Sequence, residues 1–163
     1  LKGGLELRLQ NSPLHIFQGI LLPGEKIDLT ICNPPFHSSL AEAQEGSRRK
    51  WKNLGKTSSK SAGQNKAPIK NFGGQASELW CPGGEVEFIR RMIKESANVS
   101  AQCRWFSTLV SKVENLGRIC NELEKAGATY REQMMSQGQK ISRILAWTYG
   151  SRIPQSRRRI SPL

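Results

Sequence analysis

The sequence predicts an α/β fold whose sheet is mainly parallel and ends in an antiparallel strand pair. Three observations carry this reading. Short apolar runs of strand length alternate with stretches of helical period between residues 26 and 126. The last two β-type runs, 129–135 and 141–149, are separated only by a short polar turn. A strand–helix–strand alternation of this kind builds parallel sheets, whereas a tight turn joins antiparallel neighbours.

Each element has its own justification. Leu5–Gln10 (LELRLQ) alternates apolar and polar residues as a short strand does, and Asn11-Ser12-Pro13 breaks it. Pro23-Gly24 marks a turn, after which Lys26–Cys32 (KIDLTIC) reads as a strand with a mostly apolar second half, the pattern of buried parallel strands. Ser39-Leu40-Ala41-Glu42 fits a capping box and starts a helix. Residues 55–77 are rich in Gly, Ser, Lys, Asn and Gln and predict a mobile loop. Glu85–Val99 follows Pro82-Gly83-Gly84 as a helix, with Val86, Ile89, Met92 and Ile93 on one stripe and two acids in its first turn. Residues 103–110 (CRWFSTLV) form the next strand. A helix follows over Val113–Ala126, with Leu116, Ile119, Cys120 and Leu123 inward and Gly127 as its stop.

The chain has 163 residues and a net charge of +12. Residues 46–70 carry eight basic residues (Arg48, Arg49, Lys50, Lys52, Lys56, Lys60, Lys66 and Lys70) and no acid. The tail 151–163 carries four arginines and no acid, and the rest of the chain balances. A neutral body with two basic segments points to a polyanion, most simply nucleic acid. No run reaches the roughly 18 apolar residues of a spanning helix, so no membrane partner is expected. The four cysteines show neither a CxxC pair nor metal spacing with His15 or His37; they read as free thiols of a reducing cytosol, with no metal site. Among the tryptophans, Trp105 and Trp147 lie in apolar strands and read as core. Trp51, set among Arg and Lys, is a candidate base-stacking platform.

The stretch Asn33-Pro34-Pro35-Phe36 carries the chemistry. It follows an apolar strand, and open α/β sheets bind ligands beyond the carboxyl ends of their strands. Asn33 offers a side-chain carbonyl acceptor. Pro34 has a fixed φ and no N–H, so its own carbonyl can be aimed, and Pro35 biases Pro34 to an extended shape. Two acceptors can thus converge on the two hydrogens of one amino group, with Phe36 stacked on the ring that bears it. Holding both hydrogens favours a pyramidal nitrogen and stabilises the positive charge that develops when it attacks. No Ser-His-Asp or Cys-His set accompanies the motif, and His37 reads as structural or solvated.

On these residues the chain resembles class I S-adenosylmethionine-dependent amino methyltransferases. The blocks CNPPFHSSLAEAQEGSRRKWKNLG, NFGGQASELWCPGGEVEFIRRMI, WFSTLVSKVENL and GQKISRILAWTY resemble, more narrowly, the RlmF-type family of 23S ribosomal RNA adenine-N6 methyltransferases. The same blocks are more distantly similar to a eukaryotic relative that acts on spliceosomal U6 RNA. The resemblance spans about residues 5–149. It implies a partial Rossmann-like methyltransferase fold, ribosomal RNA as partner, S-adenosyl-L-methionine as donor, and a bacterial cytoplasmic location. It implies that Asn33 and Pro34 hold the adenine N6 amino group, that Phe36 stacks on the base, and that Asn33 also lies next to the donor methyl. It places Arg48, Arg49, Lys50, Trp51, Lys52, the Asn71-Phe72-Gly73-Gly74 loop and Gln139-Lys140 on the RNA side.

The Gly-rich turn and acidic residue of that family's cofactor site have no counterpart here, so residues 1–150 are expected to be the C-terminal part of one methyltransferase domain, with a basic, disordered tail after it. The expectation that follows is a chain that binds cofactor poorly, self-associates through an unpaired sheet edge and is inactive alone. Two other readings stand beside this one. A protein-glutamine N5 methyltransferase would use the same amide-holding logic, although that family usually carries Tyr where Phe36 stands. A non-enzymatic RNA-binding fragment would share the basic segments.

Overall fold

The computed structural model describes residues 4–42, 79–137 and 140–150. Expectations for the 55–77 loop and the 151–163 tail lie outside these residues. The chain divides into two compact units, Leu1–Pro34 with Val86–Leu163, and Pro35–Glu85.

The first unit holds a four-stranded sheet. Its strands are β1 (Ile27–Leu29), β2 (Cys103–Val110), β3 (Thr129–Gln137) and β4 (Lys140–Thr148), in the spatial order β1-β2-β4-β3. The β1–β2 pair is parallel, while β2–β4 and β4–β3 are antiparallel. Parallel pairing is therefore confined to one edge among the described residues, a smaller share than the alternation suggests. β3 and β4 pair from Thr129↔Thr148 through Gln137↔Lys140, the hairpin read from the sequence.

Two helices follow the predicted bounds closely. α1 is Gly84–Asn98, and α2 is Leu116–Lys125, entered through a 3₁₀ turn at Val113–Asn115. The stripe on α1 faces inward: Ile89, Met92 and Ile93 are buried, as are Ile119 and Leu123 on α2. Gly127 ends α2 at φ 71, a left-handed conformation in which a side chain is strained. These residues join Phe17, Phe106, Val110, Leu145 and Trp147 in one core. Fully burying an aromatic or aliphatic side chain of this size contributes about 1.5–3 kcal/mol each. Trp147 belongs to this core, stacked on Phe106 at 5.9 Å, whereas Trp105 is only half-buried beneath the Arg131 guanidinium.

Leu5–Gln10 is not a strand. Its alternation is real, but a strand needs a partner, and no backbone group of residues 5–9 is hydrogen-bonded among the described residues. Side chains hold the segment instead. Arg8 donates to the Ile20 carbonyl and to both carboxylate oxygens of Glu25, and Gln10 donates to the Gln18 carbonyl. The strand predicted over Lys26–Cys32 is shortened to Ile27–Leu29, and Cys32 rejoins β2 through a single bridge to Thr108.

Candidate functional site

The motif falls where the chain leaves the sheet. Thr30 N–H donates to the Trp105 carbonyl and Cys32 N–H to that of Ser107, while the Cys32 carbonyl accepts from Leu109 N–H. The Ser107 hydroxyl adds a 2.7 Å bond to the Thr30 carbonyl. The backbone is thus pinned through Cys32 and released at Asn33, at the carboxyl end of the parallel pair. Asn33 is exposed, and its carboxamide has no partner among the described residues. Pro34 is less than 2% exposed. Of the two expected acceptors, the Asn33 side chain is open to a ligand and Pro34 is covered. Burial pushes the Cys32 thiol up, against a smaller pull from its Thr108 hydrogen bond, which leaves it a neutral thiol rather than a nucleophile.

Pro35 and Phe36 open the second unit, the first buried and the second half-buried. His37 is held on both sides: its N–H donates to the Leu79 carbonyl and its carbonyl accepts from Cys81 N–H, in a bridge opposite Trp80. His37 Nδ1 lies 3.7 Å from Glu42. Ser38 donates through both its N–H and its hydroxyl to Glu42, and Glu42 N–H donates to Ser39 Oγ. Ser39 is therefore the N-cap expected from the sequence, but the acid reaches back to Ser38 rather than to the cap residue. Gly84, at φ 64, lets the backbone pass Ser38: a Cβ there would meet Ser38 backbone at 3.4 Å. The sequence gives no warning of this bridge, because its two sides lie some forty residues apart.

Arg48, Arg49, Lys50, Trp51, Lys52, Asn71, Phe72, Gly73, Gly74 and Gln139 lie outside the described residues, and Lys140 opens β4.

A cofactor cradle of the strand–glycine–helix kind is not built by the described residues. Gly83 and Gly84 lead into α1, but the chain before them makes only the one-residue bridge at Trp80, three residues ahead of Gly83, and the space above Gly84 is filled by Ser38. These glycines serve the turn rather than a nucleoside. No group of three or more metal-type ligands occurs among the described residues, and none of their helices is long and apolar enough to cross a membrane.

The exit at the carboxyl end of a strand is where open α/β sheets bind their ligands. The family described as RNA methyltransferase matches residues 1–151, and the chain belongs to that family. The chain is 55% identical over 150 residues to the ribosomal RNA large subunit methyltransferase F of Ectopseudomonas mendocina, covering 91% of this chain and 44% of that protein. It is 49% identical over 156 residues to the Shewanella woodyi protein of the same name, covering 91% and 41%. The chain thus spans less than half the length of these relatives. Among solved structures it is similar to the human Mettl16 catalytic domain in complex with MAT2A 3′UTR hairpin 1. That match has a TM-score of 0.59 at 27% identity and covers 86% of this chain and 45% of that one. The same domain with hairpin 6 gives 0.52 at 27% identity over 78% and 42%.

Proposed function

We propose that this chain supplies the base-holding part of an RNA adenine-N6 methyltransferase that acts on 23S ribosomal RNA with S-adenosylmethionine as donor. The observation that carries this is the exposed, unpartnered Asn33 carboxamide, set one residue beyond the last sheet hydrogen bond of the β1 exit. Family membership and the names of the relatives support the reading.

The roles in this proposal are as follows. The Asn33 carbonyl accepts one N6 hydrogen. The Pro34 carbonyl accepts the other once the residue is uncovered. Phe36 stacks on the adenine. Held in this way, the nitrogen keeps a localised lone pair, and the positive charge that develops on it faces two fixed dipoles. The methylated nitrogen is acidic enough to lose its proton to solvent, so a strong base is not required. The basic segment 46–70 binds phosphates without reading sequence. In this proposal the donor's site needs residues beyond this chain, which alone is inactive.

The test completes the chain with the unmatched residues of the Ectopseudomonas mendocina relative and offers it S-adenosylmethionine and 23S ribosomal RNA. N6-methyladenosine is expected in the RNA by mass spectrometry. Asn33→Ala should lower kcat by about a hundredfold or more, the scale of losing one preorganised dipole at a charged transition state. Methylation of glutamine in a peptide but not of RNA would overturn the assignment.

A further inference from the structure

One buried side chain grips the strand end from which Asn33 leaves the sheet. Ser107 on β2 is 6% exposed and meets the chain before the motif twice. Its hydroxyl donates to the Thr30 carbonyl at 2.7 Å, and its carbonyl accepts from the Cys32 N–H at 3.0 Å. The Cys32 carbonyl accepts in turn from the Leu109 N–H. Residues 30 and 32 are thus both tied to β2, and Asn33 is the next residue. On its other side stands Pro34, less than 2% exposed and with a ring that fixes its φ. A parallel ladder is made by main-chain groups alone. The Ser107 hydroxyl is a further donor, set in a nearly dry place where a hydrogen bond is strong.

We propose that Ser107 is a positioning residue for the methyl transfer: its hydroxyl fixes where the Thr30–Cys32 strand end stands against β2, and through it the aim of the Asn33 carbonyl at the adenine amino group. The inference rests on the base-holding reading of Asn33. An acceptor that stabilises charge as it develops works through its fixed direction, and a misplacement of about 1 Å at such a group can cost about a hundredfold in rate. Loss of the hydroxyl releases the Thr30 carbonyl but leaves the main-chain bonds of Cys32 to Ser107 and Leu109 in place. The strand end is then loosened rather than detached. Ser107 touches neither base nor donor in this assignment and acts only through Asn33.

The test measures methyl transfer to 23S ribosomal RNA by the chain completed with the unmatched residues of the Ectopseudomonas mendocina relative. Ser107→Ala should lower kcat about tenfold or more, with the KM for RNA and the calorimetric affinity for S-adenosylmethionine within about threefold of the parent. Ser107→Thr keeps the hydroxyl and should restore most of the rate. Ser107→Cys, a weak donor of similar shape, should fall between the two, and it takes the place of Ser107→Ala if that variant no longer binds the donor. In the Asn33→Ala background the same substitution should cost little more, because a residue that acts through Asn33 then has nothing left to aim. A full kcat without the hydroxyl, or losses that multiply in the double variant, overturns this inference alone. A parent chain that leaves RNA adenine unmethylated overturns the base-holding reading and this inference with it.

Discussion

Asn33 shows how much a single residue can carry. It is an exposed side chain with no partner among the described residues, so replacing it should leave stability unchanged while removing the proposed acceptor. Two other residues make predictions of opposite sign from the same chemistry. Gly84 sits at φ 64 with Ser38 backbone 3.4 Å from where a Cβ would go, so Gly84→Ala should destabilise by about 1–2 kcal/mol. Gly117 lies in α2 with nothing within 4 Å of its would-be Cβ, so Gly117→Ala should stabilise by about 0.5–1 kcal/mol. Urea midpoints of the two variants decide both.

Glu25 makes a prediction about acid. Its hydrogen bonds to the Arg8 guanidinium, with a smaller one from Leu22 N–H, hold its carboxyl down to about 2. A carboxylate depressed in the folded chain stabilises above its unfolded value of about 4.3, and that stabilisation disappears as pH falls through the window toward 2. Glu25→Gln should therefore be less stable at neutral pH and should show a shallower loss of stability between about pH 4 and 2. Equal slopes for both proteins in acid unfolding would contradict the pairing seen in the structure.

At the scale of elements, α1 is joined to β4 by a buried polar cluster. The Trp147 indole N–H donates to Ser96 Oγ at 3.0 Å, Ser96 is fully buried and donates to the Ile93 carbonyl, and the Tyr149 hydroxyl lies 2.9 Å from Ser96 Oγ. Ser96→Ala strands the indole donor inside the core, at a cost of about 1–3 kcal/mol. Trp147→Phe in the same background removes the stranded donor, so the double variant should lose less than the sum of the two singles.

The elements legible in the sequence were those that periodicity alone determines. α1 and α2 showed their stripes, and β3 and β4 showed their turn. Leu5–Gln10 was misjudged because alternation reports which side chains share a face, not whether a partner strand stands alongside. The Glu95 clamp on residues 16–18 and the bridge between His37 and Trp80 left no local trace, since each depends on contacts made across some forty to eighty residues. The exit of the chain from the sheet at 33–36 was legible, because prolines and an amide after a strand restrict the backbone directly. The covering of Pro34 was not, because burial is a property of the packed chain.

At the scale of the whole molecule the proposed function raises the question of where a methyl donor would bind. The chain covers 44% of the length of the Ectopseudomonas mendocina relative, and its described residues form no glycine-lined turn between a strand and a helix. A nucleoside-bearing sulfonium needs such a close backbone approach as well as polar groups for its ribose, and one asparagine does not replace them. Titration calorimetry with S-adenosylmethionine should therefore give no measurable heat of binding with the 163-residue chain. The chain completed with the relative's unmatched residues should bind at an ordinary micromolar level, about −8 kcal/mol. Asn33→Ala in the completed chain should weaken donor binding far less than it slows methyl transfer, because its carboxamide is assigned to the base. Tight donor binding by the 163 residues alone would relocate the cofactor to residues of this chain, and would make the second unit, with Gly83 and Gly84, the first place to look.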